Sequence, residues 1–341
     1  MPPSLPKLSY VLLSHNREKY IRAAIESAFA QDYEGELEYI FSDDCSTDRT
    51  FEIIKECVAE YKGNRRVVVT QTPRNLHLAG NTNHAVQFVE SDWIIRADDD
   101  DISTSDRCSI IGRAIAENPG CSYLYTKMER FEGNQESEII ELARISRANV
   151  ETSTINVLSG EHNMWGRFSE EGILHQVWSA RHFKVFGDLP IDAYWVDDVI
   201  ANMRCCVLGC GIYVNAVTAY IRWNSGNMSQ GESNAGRDYH SIMKLEKFHD
   251  AYYNKTLYPL RQTFTQLQNY LNDQGVDASA FLCDILEDLK RRELLCSFWR
   301  KGVINRMLIS RRLGYKGVFS ALRCLPMALF AFLLSIYRKI R

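Results

Sequence analysis

The 341-residue sequence lacks both of the glycine-rich signatures that commonly hold phosphate groups. It contains no G-x-x-x-x-G-K-[ST] segment, and no G-x-G-x-x-G follows its first apolar run. A standard P-loop and a Rossmann dinucleotide site, which both place phosphate on such a turn, are therefore excluded. The N-terminal apolar run, Tyr10 to Leu13, is also too short to predict a signal peptide.

Cysteine is too sparse for a disulfide scaffold, with 10 residues in the whole chain. Cys205, Cys206 and Cys210 lie close together in the sequence, but no second C-x-x-C half accompanies them, so a zinc site is not favoured. We expect reduced, mostly buried thiols in a cytosolic protein.

Acidic residues are absent from residues 294–341, which carry ten Lys and Arg side chains. The rest of the chain holds 30 basic and 43 acidic side chains, a net charge of -13, although the whole chain has only -3. An acidic body with a basic end predicts an anionic surface as a partner.

Apolar runs alternate with segments of helical periodicity across the first hundred residues. Four runs predict buried strands, at residues 8–13, 37–41, 66–70 and 93–97. Helices are expected between them at residues 20–28, 51–61 and 85–89, the last preceded by a polar loop over 75–83. This alternation predicts an α/β fold with a doubly wound, mostly parallel sheet and helices on both of its faces.

Four consecutive carboxylates, Asp98 to Asp101, follow the fourth apolar run directly. Adjacent anions repel one another and cannot be buried unpaired, which indicates a divalent cation held by oxygen ligands. A solvated acidic loop is the alternative. Because parallel strands bring their carboxyl ends to one edge, Ser14, Asp44 and Asp100 should converge in a crevice where α/β sheets bind nucleotide-type ligands.

Polar motifs follow all four predicted strands: SHNR at 14–17, DDCSTD at 43–48, NLHLAGNTN at 75–83 and DDDD at 98–101. In this order they resemble the TYNR turn, the DDGSTD motif, the Asn/Gly-rich loop and the D-x-D-D metal motif of glycosyltransferase family 2. The resemblance covers about residues 8–230. It implies a GT-A fold and transfer of a sugar from a nucleoside diphosphate sugar.

The resemblance implies a nucleotide-binding set that comprises Ser14, Asn16, Arg17, Asp44, Asn75, Asn83 and Asp98. Within this set, Asp44 would bind the base, and a carboxylate there suits the imide N–H of uracil or thymine. Asp98 and Asp100 would hold Mn²⁺ or Mg²⁺. Asp99 is expected to point away from them, because side chains alternate along an extended segment. Thr82 stands where a basic residue often helps to hold the diphosphate, which leaves one diphosphate contact unassigned.

A second pair of carboxylates, Asp197-Asp198, resembles the family's ED motif, with Arg204 on the following helix. Asp198 is the predicted general base, which takes the proton of the acceptor hydroxyl in an inverting single displacement. For Asp197 we favour a helix N-cap role. Glycoside hydrolysis by paired carboxylates is rejected as the main interpretation, because a hydrolase has no use for a metal–diphosphate site.

Five residues are candidates for contacts with the acceptor or the diphosphate: Trp165, His175, Arg222, Asn227 and Ser229. Trp165 would stack on a sugar ring, with a loop anchor as the alternative. For His175 a core histidine is the alternative. Residues 222–229 resemble the segment that closes over the diphosphate in this family, and a surface loop is the alternative there.

The chain is expected to comprise a GT-A catalytic domain (1–235), a helical appendage (236–312) and a basic, apolar tail helix (313–341). Arg323 and Pro326 interrupt the apolar tail, so a membrane-surface anchor is favoured over a packed helix and over a true span.

These features predict a cytoplasmic protein, peripheral on the inner face of the cell membrane. Its donor would be a UDP-sugar, its acceptor a glycolipid or polysaccharide, and no nucleic acid would bind. The alternatives are a nucleotidyltransferase-like enzyme and a non-catalytic sugar-nucleotide-binding or scaffold protein.

Overall fold

The structure is a computed structural model that describes residues 4–145, 150–155, 176–191, 193, 197–223 and 257–297. The chain divides into two compact units, one of Met1–Trp223 with Thr265–Leu282 and the other of Asn224–Phe264 with Cys283–Arg341. The described part of the second unit consists of segments of two helices. The predicted domain boundaries near 235 and 312 lie outside the described residues.

The first unit is built on one mixed sheet. Its strands in the described residues are β1 (Leu8–Ser14), β2 (Leu37–Asp43), β3 (Val67–Gln71), β4 (Trp93–Asp98), β5 (Ile102–Ser103), β6 (Cys121–Glu132), β7 (Thr152–Ile155), β8 (Gln176–Ser179) and β9 (Cys210–Trp223). The helices are α1 (Ile21–Phe29), α2 (Thr50–Glu60), α3 (His77–Val86), α4 (Arg107–Glu117), α5 (Glu136–Ala143), α6 (Arg181–Phe186), α7 (Asp197–Cys206), α8 (Tyr258–Asp273) and α9 (Ser279–Ser297).

The strand order is β3-β2-β1-β4-β8-β6-β9-β5, and β7 pairs with β9. The first four strands are parallel to one another, as predicted, while β8 continues the sheet antiparallel to β4 and β6. The chain winds outward from β1 to β3 and then returns to place β4 on the other side of β1. The carboxyl ends of β1 and β4 therefore form the switch point at which open α/β sheets bind ligands.

Burial explains why the central elements form. Every residue of β1 and β2 is buried, because helices cover both faces of a parallel sheet. In α1 the buried residues Ile21, Ala24, Ile25 and Ala28 recur at helical spacing and join the main apolar core. These patterns are local in the sequence, which is why periodicity finds them.

The Asn/Gly-rich segment differs from its prediction. Residues 77–83 belong to α3 rather than to a polar loop. Asn81 and Asn83 are buried in this helix, and their amides bond to Ser42 and to the backbone of Leu189. The Thr82 hydroxyl donates to the Leu78 carbonyl. Polar residues are stable on these helix faces because tertiary partners satisfy them.

Within the described part of the chain, no helix combines the length and the apolar character that crossing a bilayer requires. The predicted tail helix at 313–341 lies outside these residues.

His182 on α6 gives the fold a testable pH dependence. Its ring is fully buried, edge-on to Trp178, and neither ring nitrogen has a hydrogen-bond partner in the described residues. Burial and the nearby Arg204 charge lower the pKa of His182 well below its ordinary value. The folded protein therefore holds His182 neutral, whereas the unfolded chain takes up a proton below about pH 6.5.

The stability that neutral His182 contributes should therefore be fully present above about pH 6.5 and should be lost as the pH falls below it. In urea unfolding, His182→Phe should reduce the stability loss between pH 7.5 and 5.5 by about 1.4 kcal/mol. His84→Phe, which leaves His182 in place, should retain the wild-type loss. An equal loss in wild type and His182→Phe would contradict this account.

Candidate active site

The four turns that carry the predicted motifs meet at the carboxyl edge of the parallel strands. The Asp44 amide donates to the Ser14 carbonyl at 2.8 Å, which joins the turns after β1 and β2. The Leu76 amide donates to Asp44 Oδ1 at 2.8 Å, which adds the turn after β3. The His15 amide donates to Asp99 Oδ2 at 2.9 Å, which adds the turn after β4. The convergence expected from strand order is present.

The two carboxylates at the end of β2 differ in their surroundings. Asp43 accepts hydrogen bonds from the Ser46 amide and from Gln71, so it holds the shape of its own turn. Asp44 is buried, and its Oδ1 atom accepts from the Thr72 hydroxyl and the Leu76 amide, both at 2.8 Å. Asp44 is thus rigidly placed at the crevice, where the sequence predicts the nucleotide base.

Three predicted nucleotide-binding amides are engaged within the protein. Asn16 Oδ1 accepts from the Thr47 amide at 2.8 Å, and Asn75 Oδ1 accepts from the His77 amide at 3.0 Å. Asn83 exchanges two 2.8 Å bonds with the backbone of Leu189. Asn16 and Asn75 shape the turns, whereas Asn83 joins α3 to Leu189. Direct contacts of all three side chains with a nucleotide stay predictions.

Left-handed backbone is concentrated in the same turns. Asn16, Cys45 and His77 have φ values of 54°, 53° and 60°. An L-residue in this conformation is disfavoured by about 1–2 kcal/mol. Such strain persists only where surrounding contacts over-determine the backbone, and it is enriched at functional sites.

Asp98 to Asp101, called the acidic turn below, do not show the predicted alternation of side-chain directions. β4 ends at Asp98, so the extended pattern stops before Asp99. Arg17 Nε lies 3.5 Å from Asp99 Oδ1 and 3.7 Å from Asp100 Oδ2, and both carboxylates therefore face one cation. The prediction that Asp99 points away is wrong, because turn geometry rather than strand pleat sets its direction. Asp101 instead accepts the Arg222 amide at 2.8 Å.

The surroundings of the acidic turn oppose ionisation of its carboxyl groups. Burial, together with the charges of Asp101 and Asp98, raises the pKa of Asp100 to about 7. Burial also raises the pKa of Asp99 and of Asp101 well above the ordinary value, although Arg17 and Arg222 oppose the shifts. A cluster of carboxylates in this state is stabilised by an added cation.

The acidic turn offers few ligands for a metal ion. Among the described residues, no three His, Cys, Asp or Glu side chains are grouped to hold a metal ion. Mg²⁺ commonly takes only one or two carboxylates and completes its shell with water and substrate phosphate. Asp98 and Asp100, which are partly exposed at the carboxyl end of β4, fit that manner of binding.

Arg96 on β4 links the acidic turn to the second pair of carboxylates. Its side chain is only 3% exposed, with Nη2 at 3.2 Å from Asp98 Oδ1 and Nη1 at 3.7 Å from Asp197 Oδ2. Its carbonyl accepts from buried Arg107 at 2.8 Å. Sequence reasoning missed Arg96, although a charge inside an apolar strand is a signal that a buried partner exists.

Asp197 and Asp198 begin α7 in different environments. Asp197 is 1% exposed and faces Arg96, whereas Asp198 is partly exposed and its Oδ1 accepts the Val199 amide at 2.7 Å. Burial raises the pKa of Asp197 to about 7 and also raises that of Asp198, with Arg96 opposing both shifts. Of the two, Asp198 is the more exposed residue.

Arg222 on β9 is built into the scaffold. Its side chain has no exposed surface, its guanidinium lies 4.6 Å from the ring centres of both Tyr20 and Phe131, and Nη1 pairs with Glu136 at 2.7 Å. Its Nε donates to the Asp100 carbonyl at 2.9 Å. The geometry favours a role in holding the acidic turn over the phosphate contact expected from sequence. The other candidates, Trp165, His175, Asn227 and Ser229, lie outside the described residues.

Short segments of the chain are similar to proteins of known name. A 98-residue segment, 29% of this chain, is 37% identical to EpsE of Bacillus subtilis (strain 168), of which it spans 34%. A 97-residue segment, 28% of this chain, is 32% identical to the poly(ribitol-phosphate) beta-N-acetylglucosaminyltransferase TarS of Staphylococcus aureus (strain Mu50 / ATCC 700699). That match spans only 16% of TarS.

Solved structures show the same fold. The crystal structure of S. aureus TarS aligns with this chain with a TM-score of 0.56 at 17% identity, covering 97% of this chain and 54% of TarS. TarS 1-349 in complex with UDP-GlcNAc aligns with a TM-score of 0.52 at 18% identity, covering 97% of this chain and 89% of that one. The predicted α/β fold of the GT-A type is confirmed. The model of Glycosyl transferase family 2 matches residues 9–186, just over half of the chain, and the protein belongs to that family.

Proposed function

We propose that this protein is a metal-dependent, inverting glycosyltransferase that moves a sugar from a UDP-sugar to a hydroxyl of a glycolipid or polysaccharide. The observation that carries the proposal is the position of Arg96, which pairs with Asp98 on one side and with Asp197 on the other. Buried Arg96 therefore lies between Asp98, which is assigned to the donor site, and the start of α7, which carries the proposed base Asp198.

The nucleoside half of the site is formed by the turns after β1, β2 and β3. Asp44, held by Thr72 and Leu76, would accept the imide N–H of uracil. A solved neighbour with the same fold was crystallised with UDP-GlcNAc, which supports a UDP-sugar as the donor. Ser14, Asn16, Arg17 and Asn75 line or shape the same turns and would border the nucleotide.

The diphosphate half is assigned to the acidic turn. Asp98 and Asp100 would hold Mn²⁺ or Mg²⁺, which when bound neutralises the charge of the departing nucleoside diphosphate. Arg17, beside Asp99 and Asp100, supplies a second positive charge from the protein itself. Arg222, which pairs with Glu136, donates to the Asp100 carbonyl and so holds the backbone of this turn in place.

The proton chemistry is assigned to Asp198. Its carboxylate would accept the acceptor hydroxyl proton as that oxygen attacks the anomeric carbon, and the bond to the diphosphate oxygen breaks. A direct displacement of this kind inverts the anomeric configuration and forms no glycosyl-enzyme. The partial exposure of Asp198 and the burial of Asp197 support this division of roles.

The acceptor and the cellular location are proposed on other grounds. The full name of TarS specifies a polymer, poly(ribitol-phosphate), as its acceptor, which supports a surface polysaccharide or glycolipid here. The basic, apolar residues 313–341 would bring the enzyme to the inner face of the membrane.

The proposed donor site is tested by Asp100→Asn. By calorimetry, this change should weaken UDP binding in Mn²⁺ at least about tenfold, because it removes a ligand charge from the metal. In EDTA, the affinities of wild type and variant should be similar. Transfer from UDP-, GDP- and dTDP-sugars in Mn²⁺ should then identify the donor.

The control is Asp92→Asn, since Asp92 is 83% exposed and pairs only at the surface with Lys184. It should bind UDP as wild type does. Unchanged Mn²⁺-dependent affinity in Asp100→Asn would refute the metal assignment. UDP binding without transfer to any acceptor would favour a non-catalytic binding protein.

A further inference from the structure

His15, in the turn after β1, contacts all three of the other turns at the crevice. Its amide donates to Asp99 on the turn after β4, and its Nδ1 lies 2.8 Å from the Asp44 carbonyl oxygen on the turn after β2. Its Nε2 lies 3.0 Å from Asn75 Nδ2 on the turn after β3, and 3.1 Å from Asn16 Nδ2 on its own turn. The ring is only partly buried, so solvent protons can reach it.

The neighbouring backbone determines which ring nitrogen carries the proton. Asn16 Oδ1 accepts the Thr47 amide, and Asn75 Oδ1 accepts the His77 amide. A backbone N–H can only donate, so both side-chain oxygens are fixed at those positions and both NH₂ groups point to His15 Nε2. Nε2 must therefore accept, and Nδ1 must carry the hydrogen that it donates to the Asp44 carbonyl.

A charged imidazole does not fit this arrangement. Protonation would place an N–H at Nε2 against two NH₂ donors, and both hydrogen bonds would be lost. Rotating either amide by 180° would not restore them, because its NH₂ would then meet the Thr47 or His77 amide. The contacts between the turns thus require the neutral ring.

We propose that His15 is a pH-dependent positioning residue of the nucleotide site. The neutral ring ties together the turns that carry Asn16, Asp44 and Asn75, and protonation releases Asn75 and Asn16 and lowers the affinity for a nucleoside diphosphate. This inference rests on the proposed function, because it places the nucleotide against these turns. His15 acts through the turns and takes no part in the chemical step.

Other charged groups lie on the four turns that meet at His15. They include Arg17 on its own turn, Asp44 after β2, Arg74 after β3, and Asp99 with Asp100 after β4. Burial raises the pKa of Asp99 and Asp100, so these carboxyls also change charge as the pH falls. The test therefore compares proteins that share all of these groups and differ only at residue 15.

The experiment measures UDP affinity in EDTA at pH 8.0, 7.0 and 6.0 for wild type, His15→Gln and His15→Phe. Glutamine can donate and accept but does not titrate, so its affinity at pH 8.0 should stay within about threefold of wild type. Between pH 8.0 and 6.0, wild type should lose up to about fourfold more affinity than His15→Gln. His15→Phe, which can make none of the ring bonds, should bind about tenfold more weakly at pH 8.0.

Parallel pH profiles for wild type and His15→Gln would overturn the proposal. Hydrogen exchange provides a readout that needs no nucleotide: protection of the amides of residues 44–47 and 75–77, corrected for intrinsic rates, should fall from pH 8.0 to 6.0 in wild type and not in His15→Gln. Equal protection in both would also overturn it. If this difference is present but wild type binds no UDP at any pH, the proposed function fails and the pH-dependent tie between the turns stands.

Discussion

Asp198→Asn should lower kcat for sugar transfer by about a thousandfold while leaving UDP affinity unchanged. Asparagine cannot take up the acceptor proton, but its side-chain oxygen can still accept the Val199 amide, so the start of α7 should keep its structure. The measurement is UDP release and transfer in Mn²⁺ with the donor identified by the screen, together with calorimetric UDP binding.

Asp92→Asn again serves as the matched control, because it makes the same chemical change at a surface carboxylate. It should keep wild-type kcat. Full transfer activity in Asp198→Asn would disprove the assignment of the base. A loss of both UDP binding and stability would instead indicate that Asp198 supports the fold.

Arg96→Met should lower the free energy of unfolding by about 3–5 kcal/mol and kcat by about a hundredfold. Methionine has a similar length but no charge, so partly exposed Asp98 and buried Asp197 lose the cation between their carboxylates. Their repulsion should move α7 away from the end of β4. Urea unfolding measures the first effect, and steady-state kinetics measures the second.

Two further variants make this prediction specific. Arg49→Met removes an arginine whose side chain is 68% exposed, and it should change the unfolding free energy by less than about 0.5 kcal/mol. The double variant Arg96→Met/Asp197→Asn should recover part of the lost stability, because one uncompensated charge has been removed. Additive losses in the double variant would show that Arg96 and Asp197 are not coupled.

Much of the donor side was predictable from the sequence because its signals are local. Strands β1 to β4 appear as apolar runs, and each ends in a polar motif. A parallel sheet brings such ends to one edge, so the meeting of Ser14, Asp44 and the acidic turn followed from the parallel direction of the strands. The helix at His77–Val86 did not follow, because its buried amides are satisfied by Ser42 and Leu189, which are distant in the sequence.

By itself, the sequence determined the family, the positions and parallel direction of the first four strands, and the set of carboxylates at their carboxyl ends. The tertiary structure alone decided what each carboxylate meets: Asp99 turns to His15 and Arg17, Asp98 and Asp197 share Arg96, and Arg222 is buried beneath the acidic turn. The physical reason is that these pairings depend on where a strand ends and on how side chains from distant segments pack. Neither hydrophobic periodicity nor motif spacing records that information.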